Sequence, residues 1–147
     1  MEIILAENHG FCYGVKRAVE MANEAANSDG KSYTLGPIIH NPQVVGRLED
    51  KGVSPVQEVS DIEEGTMIIR SHGVGPAIYE EAEEKGLHIV DATCPYVKKA
   101  QQDAKSVIED GMTLVILGEK NHPEVKSINL WANNEGIIIE DEESAKK

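Results

Sequence analysis

No apolar run in the 147-residue sequence approaches the roughly 18 residues that a membrane-spanning helix needs. The start, Met1-Glu2-Ile3-Ile4-Leu5-Ala6, carries no basic residue ahead of its short apolar run, so it does not read as a secretion signal. Positive charge is scarce: 14 Lys and Arg face 26 Asp and Glu, a formal net charge of −12. That balance argues against nonspecific attraction to nucleic acid or to an anionic membrane. Aromatic residues make up only 4%, so a core must be built from Ile, Val, Leu, Ala and Met, which a hydrophobic content of 40% allows. There are two cysteines, Cys12 and Cys94, and no C-x-x-C, which argues against a thioredoxin-type site and against a disulfide scaffold. Low-complexity segments and flexible linkers are also missing. The expectation is a cytoplasmic protein of one ordinary domain or two small ones, with no nucleic-acid or membrane partner.

What is present is alternation. Strand patterns fall at Ile3–Ala6, Ser32–Leu35, Gly52–Val56, Thr66–Arg70, Leu87–Val90, Met112–Leu117 and Gly136–Ile139. Between them run helical patterns at Val15–Ala26, Pro42–Lys51, Pro76–Glu84, Pro95–Glu109 and Pro123–Trp131, and a last helix barely begins within Asp141–Lys147. Proline in the first turn and glycine behind the end mark several of these helices. The pattern predicts an α/β protein with mostly parallel sheets in repeated α/β units. A long helix leaves the first set of strands at Cys94-Pro95. The expected division is therefore a complete first unit, 1–94, and a truncated second unit, 95–147.

Nearly every apolar strand runs into a polar motif containing Gly or Pro. The motifs are Gly10-Phe11-Cys12, Gly36-Pro37-Ile38-Ile39-His40-Asn41, Ser71-His72-Gly73-Val74-Gly75, Asp91-Ala92-Thr93-Cys94-Pro95 and Gly118-Glu119-Lys120-Asn121-His122-Pro123-Glu124. Parallel strands end on a common edge, where α/β proteins bind ligands. Cys12, His40, His72, Cys94, His122 and Glu124 are thereby expected on one rim. Cys12 sits between Gly10 and Gly14 at a strand-to-helix turn, where an anionic sulfur is favoured. It suits a nucleophile, a redox partner or a metal ligand. Histidine suits an anionic group such as a diphosphate, and also zinc, for which two Cys and two His would make a closed site. The spacings are not those of a zinc finger. Glu124 reads either as a first-turn carboxylate or as a general acid or base. His9, His88 and Trp131 are read as loop, strand and packing residues, and Glu80–Glu84 as a solvated helix face.

Taken together, Gly10-Phe11-Cys12-Tyr13-Gly14-Val15, Gly36-Pro37-Ile38-Ile39-His40-Asn41, Ser71-His72-Gly73-Val74, Asp91-Ala92-Thr93-Cys94-Pro95 and His122-Pro123-Glu124-Val125 resemble, in order, the N-terminal part of the 4-hydroxy-3-methylbut-2-enyl diphosphate reductase family. The resemblance implies three similar α/β units around a [4Fe–4S] cluster. It implies reductive removal of an allylic hydroxyl, with isopentenyl and dimethylallyl diphosphate as products of the non-mevalonate isoprenoid pathway. Cys12 and Cys94 match two of three cluster ligands, His40, His72 and His122 match the diphosphate anchors, and Glu124 matches the proton donor. A ferredoxin or flavodoxin is the implied electron donor. Family chains continue beyond this length, and the third cysteine lies in the part absent here. The chain is therefore expected to be an inactive fragment that self-associates through exposed apolar surface. The competing expectation is a non-catalytic α/β module that binds a phosphate-containing ligand or zinc through its Cys/His rim.

Overall fold

The computed structural model describes residues 2–146 apart from Asn8 and Asp29. Lys147, expected at the end of the last helix, lies outside the described residues. Four short strands, β1 (Ser32–Leu35), β2 (Val53–Val56), β3 (Thr66–Ile69) and β4 (His88–Asp91), form a parallel sheet in the order β2-β1-β3-β4. Ser32 lies level with Thr66, and Thr66 with His88, so the strands end together at Leu35, Ile69 and Asp91. Pro55, which has no N–H to donate, is tolerated because β2 is at the edge.

Side-chain alternation along β3 divides the core. Ile68 faces α1 (Tyr13–Ala26) and α2 (Pro42–Glu49), where Ala18, Ala22, Ala25 and Leu48 are buried. The small alanines, four and three residues apart, let α1 lie close to the sheet. Met67 and Ile69 face the other way, toward α3 (Pro76–Glu84) and a single 3-10 turn at Val59–Asp61, against Val59, Ile62 and Ala82. From β1 the chain passes through α2 to β2 on one side, then returns to β3 on the other. The crevice beyond the ends of β1 and β3 is thus a topological switch point, the usual ligand position in such sheets.

The remaining residues build a smaller layer. Helix α4 (Pro95–Glu109) packs along α5 (Pro123–Trp131), which connects the parallel pair β5 (Val115–Leu117) and β6 (Ile137–Ile139); α6 (Glu142–Ala145) follows. Ile116 is buried, whereas Val115, Leu117 and Ile137 are exposed, Leu117 to 79%. The parallel α/β architecture is as the sequence predicts.

Two expectations need correction. Ile3–Ala6 forms no strand and is not buried; Ile4 is 82% exposed. Four apolar residues in a row read as a buried strand, but a strand exists only where a neighbour takes its N–H and C=O groups. Among the described residues no strand pairs with this segment. The strand expected over Met112–Leu117 contracts to Val115–Leu117, because β6 offers only three residues to pair with. Elsewhere the ends shift by one or two residues: α1 begins at Tyr13, α2 stops at Glu49, β3 at Ile69, and β4 is His88–Asp91.

Candidate active site: an imidazole cluster beside two cysteine-capped helices

Three loops bring three imidazoles together. His40 follows β1, His72 follows β3 and His122 immediately precedes α5. Their ring centroids are 4.4 Å apart for His40–His72, 5.8 Å for His72–His122 and 6.0 Å for His40–His122. His40 is exposed; His72 and His122 are partly buried. His122 caps α5, its Nδ1 accepting the Glu124 N–H at 3.2 Å. That bond leaves the ring's own N–H on Nε2. It also ties the imidazole to the partly buried Glu124, which stands in the positive first turn of α5.

His72 is held neutral. Burial lowers its pKa first, then the charges of His40, Arg70 and His122, bringing it from 6.5 to about 4. Its Nδ1 is buried with no hydrogen-bond partner. The sign for stability follows directly. Between pH 6.5 and 4 the unfolded chain takes up a proton at this position and the folded chain does not. This contribution to stability is therefore intact above 6.5, falls as the pH drops toward 4 and is level below. Chemical denaturation across this range should show a smaller loss of stability in His72→Gln than in the parent chain; equal losses would contradict the assignment.

The two thiols are positioned alike. Cys12 is the N-cap of α1 and Cys94 the N-cap of α4, and neither side chain is used in a capping hydrogen bond. Cys12 is exposed and Cys94 partly buried. Cys94 lies directly on α1: a Cβ on Gly14 would stand 2.5 Å from Cys94 Sγ and 3.0 Å from its Cβ. Gly14 is thus the residue that lets the second cysteine reach the helix start capped by the first. The turn carrying Cys94 is braced. Asp91 Oδ1 accepts the Thr93 N–H at 3.0 Å, Asp91 Oδ2 accepts from Lys98 and from the Tyr79 hydroxyl at 3.2 Å, and Arg17 donates to the Thr93 carbonyl at 3.2 Å. Burial works to raise the pKa of Asp91, but the hydrogen bonds from Lys98 and Thr93 outweigh it and hold the group ionised, below its ordinary range. Tyr79, half-buried beside that carboxylate, is pushed up to about 12, by burial first, and stays a donor.

Backbone links join these parts. Ser71 N–H donates to the Ile38 carbonyl at 3.2 Å, coupling the His72 loop to the His40 loop. The Cys94 N–H donates to the Ser71 carbonyl at 2.9 Å. On the other side, Ser127 Oγ lies 2.7 Å from the His72 carbonyl and 2.9 Å from that of Glu124, and receives the buried Gln101 amide at 3.2 Å. Trp131 Nε1 donates to the Val74 carbonyl at 2.9 Å, so α5 is pinned along the loop that carries His72.

Ser127, Gln101 and Arg70 escaped the sequence reading. Gln101 had a legible signal: with Val97 and Ala104 it lies on the buried stripe of α4, where a polar residue needs a reason. Trp131, read there as a packing residue, also anchors the His72 loop by its N–H. Among the described residues, no group of three or more His, Cys, Asp or Glu is arranged to hold a metal ion. The two thiols and two imidazoles of a closed zinc site are therefore not gathered into one set.

Comparison with known proteins decides the family. The family model described as LytB protein matches residues 3–147. The chain belongs to the LytB family. Over all 147 residues this LytB-family chain is 51% identical to the 4-hydroxy-3-methylbut-2-enyl diphosphate reductase of Geobacter metallireducens and 50% identical to that of Geotalea uraniireducens. It covers 52% of each, so it spans about half the length of the curated relatives it matches. The solved E-1-hydroxy-2-methyl-but-2-enyl-4-diphosphate reductase of Plasmodium falciparum superposes with a TM-score of 0.91 at 31% identity, over 96% of this chain and 45% of that one. A second structure, of (E)-4-hydroxy-3-methyl-but-2-enyl diphosphate reductase, terminal enzyme of the non-mevalonate pathway, gives 0.83 at 49% identity, over 96% and 52%. The LytB fold thus accounts for the arrangement of both sheets.

Proposed function

We propose that this chain supplies one part of the active site of a 4-hydroxy-3-methylbut-2-enyl diphosphate reductase. The observation that carries the reading is the meeting of His40, His72 and His122 from three separate loops at the sheet's switch point, in a chain about half identical to such reductases. The imidazoles donate N–H groups to the diphosphate and fix its position, so the far end of the substrate is oriented with it. Glu124, tied to His122 through the α5 cap, is the carboxyl group assigned to relay a proton to the departing oxygen.

Cys12 and Cys94 would hold an iron–sulfur cluster. The fit rests on two free thiols at two helix N-termini, with Cys94 Sγ packed over Gly14 in the first turn of the helix that Cys12 caps. Only two cysteines occur in the 147 residues, so a three-thiolate set needs a donor from outside them. When bound, such a cluster supplies one-electron chemistry that side chains lack. A ferredoxin or flavodoxin is the proposed source of those electrons.

The reading divides the chain into 1–94 and 95–147, which the separation into two sheets supports. By itself the chain should turn over little or no substrate. The exposed Val115, Leu117 and Ile137, with Ile3 to Leu5, should drive concentration-dependent self-association. Sedimentation equilibrium checks this, and a monomer at every concentration would contradict it. The function itself is tested by grafting residues 1–147 onto the remaining half of the Geobacter metallireducens relative and measuring reductase turnover.

A further inference from the structure

A second cationic feature lies outside the imidazole cluster. Between the loop after β3 and α5 runs a cleft of about 310 Å³ that none of the three histidines, neither cysteine and no carboxylate lines. Its polar side chains are Arg70, Lys126, Gln57 and Ser127, and Leu35, Val74 and Leu130 are among its apolar walls. Acidic residues outnumber basic ones 26 to 14 in this chain, yet two cations share one cleft without an acid. Lys16, Lys31, Lys98, Lys99, Lys105 and Lys146 each pair with a carboxylate; among the described residues Arg70 and Lys126, like Arg17, Arg47, Lys51, Lys85 and Lys120, do not.

Arg70 is the more telling of the two. Its guanidinium packs over Gly36, where a Cβ would stand 2.7 Å from Nη1. Gly36 has φ +71°, so glycine serves the backbone there and leaves room for the guanidinium. Arg70 Nε is buried without a hydrogen-bond partner, and burial pulls the group's pKa below its ordinary value. A cation held out of water without a counter-charge costs free energy that a bound anion would relieve.

The geometry points to a binding site for a small amphiphilic anion in this cleft, with Arg70 and Lys126 on its phosphate or carboxylate and Leu35, Val74 and Leu130 against its hydrocarbon part. None of the three imidazoles lines this site, although Gly73 and Pro123, the chain neighbours of His72 and His122, do. Occupation therefore bears on the loop that positions His72, and the proposal does not depend on the reductase reading.

The test uses n-hexyl phosphate as the probe, inorganic phosphate and hexanol as comparisons, and amide NMR of the full 147-residue chain. Hexyl phosphate should shift the amides of Val74, Gly75 and Lys126 and bind about tenfold or more tightly than inorganic phosphate; hexanol should bind weakest. Lys126→Glu, an exposed change that leaves the core intact, should weaken hexyl phosphate at least about tenfold, as should Arg70→Gln. His122→Gln should leave this binding unchanged. Shifts confined to the imidazole loops, equal affinity for hexyl and inorganic phosphate, or an unaltered Lys126→Glu would each overturn the site. Loss of binding in His122→Gln would assign the probe to the imidazole cluster and overturn it too.

Discussion

Replacing His72 with alanine is expected to weaken pyrophosphate binding to the 147-residue chain by roughly tenfold to a hundredfold, the worth of one hydrogen bond to a charged group in a sheltered site. His72 is central to the cluster, with both neighbouring rings within 6 Å. Burial first, then neighbouring positive charge, brings its pKa down to about 4, and a bound anion adds the opposite charge and favours the protonated ring. Binding should therefore draw a proton toward His72, and affinity should rise as the pH falls from neutrality toward 4. Isothermal titration in buffers of different ionisation enthalpy measures both affinity and proton uptake. His40→Ala and His122→Ala should act in the same direction. An affinity unchanged in His72→Ala would remove the imidazoles as the anchor.

Gly14→Ala is the second change with a large expected effect. The added methyl group would meet Cys94 Sγ at 2.5 Å, well inside van der Waals contact, with Cys94 Cβ at 3.0 Å. Neither side yields freely. Gly14 is buried within α1, and the Cys94 turn is held by Asp91, Thr93, Arg17 and the Ser71 carbonyl. Overpacking of this kind costs about 1–3 kcal/mol. Alanine's better helix propensity, about 1 kcal/mol over glycine, offsets only part of it. Cys94→Ala removes the nearest atom, so Gly14→Ala should be far less harmful in that background. Urea denaturation of the four chains of this cycle measures the coupling. Simple additivity would show that Gly14 and Cys94 do not share the space assigned to them.

Much of this was legible in the residues, for identifiable reasons. Proline at the first turn marked α2, α3, α4 and α5, because it lacks an N–H where a helix has none to satisfy. Polar motifs behind β1, β3 and β4 put His40, His72 and Cys94 beyond one sheet edge, because parallel strands end together; Cys12 follows no strand, and His122 and Glu124 follow a strand of the second sheet. Other features were hidden. Ile3–Ala6 has a strand's composition, but whether it pairs depends on a neighbour that composition does not specify. The Gly14–Cys94 contact joins residues far apart in sequence, and a glycine in a helix announces only that something comes close. Arg70 looked like the end of a strand. Only the fold shows that its charge faces a cleft without a carboxylate, beside the loop that carries His72.

The central claim is that residues 1–147 furnish the diphosphate anchor, the proton donor and two cysteine ligands of a reductase. The most direct measurement is turnover of 4-hydroxy-3-methylbut-2-enyl diphosphate by the chimera in which these residues replace their counterparts in the Geobacter metallireducens relative, 51% identical across the exchanged region. The account predicts a folded chimera with the visible absorption of an iron–sulfur cluster and reductase activity. Glu124→Gln should lose at least about a hundredfold in activity with the absorption retained. Cys12→Ser and Cys94→Ser should lose both. A folded chimera that carries the cluster but does not reduce the substrate, or whose activity survives Glu124→Gln, would contradict it.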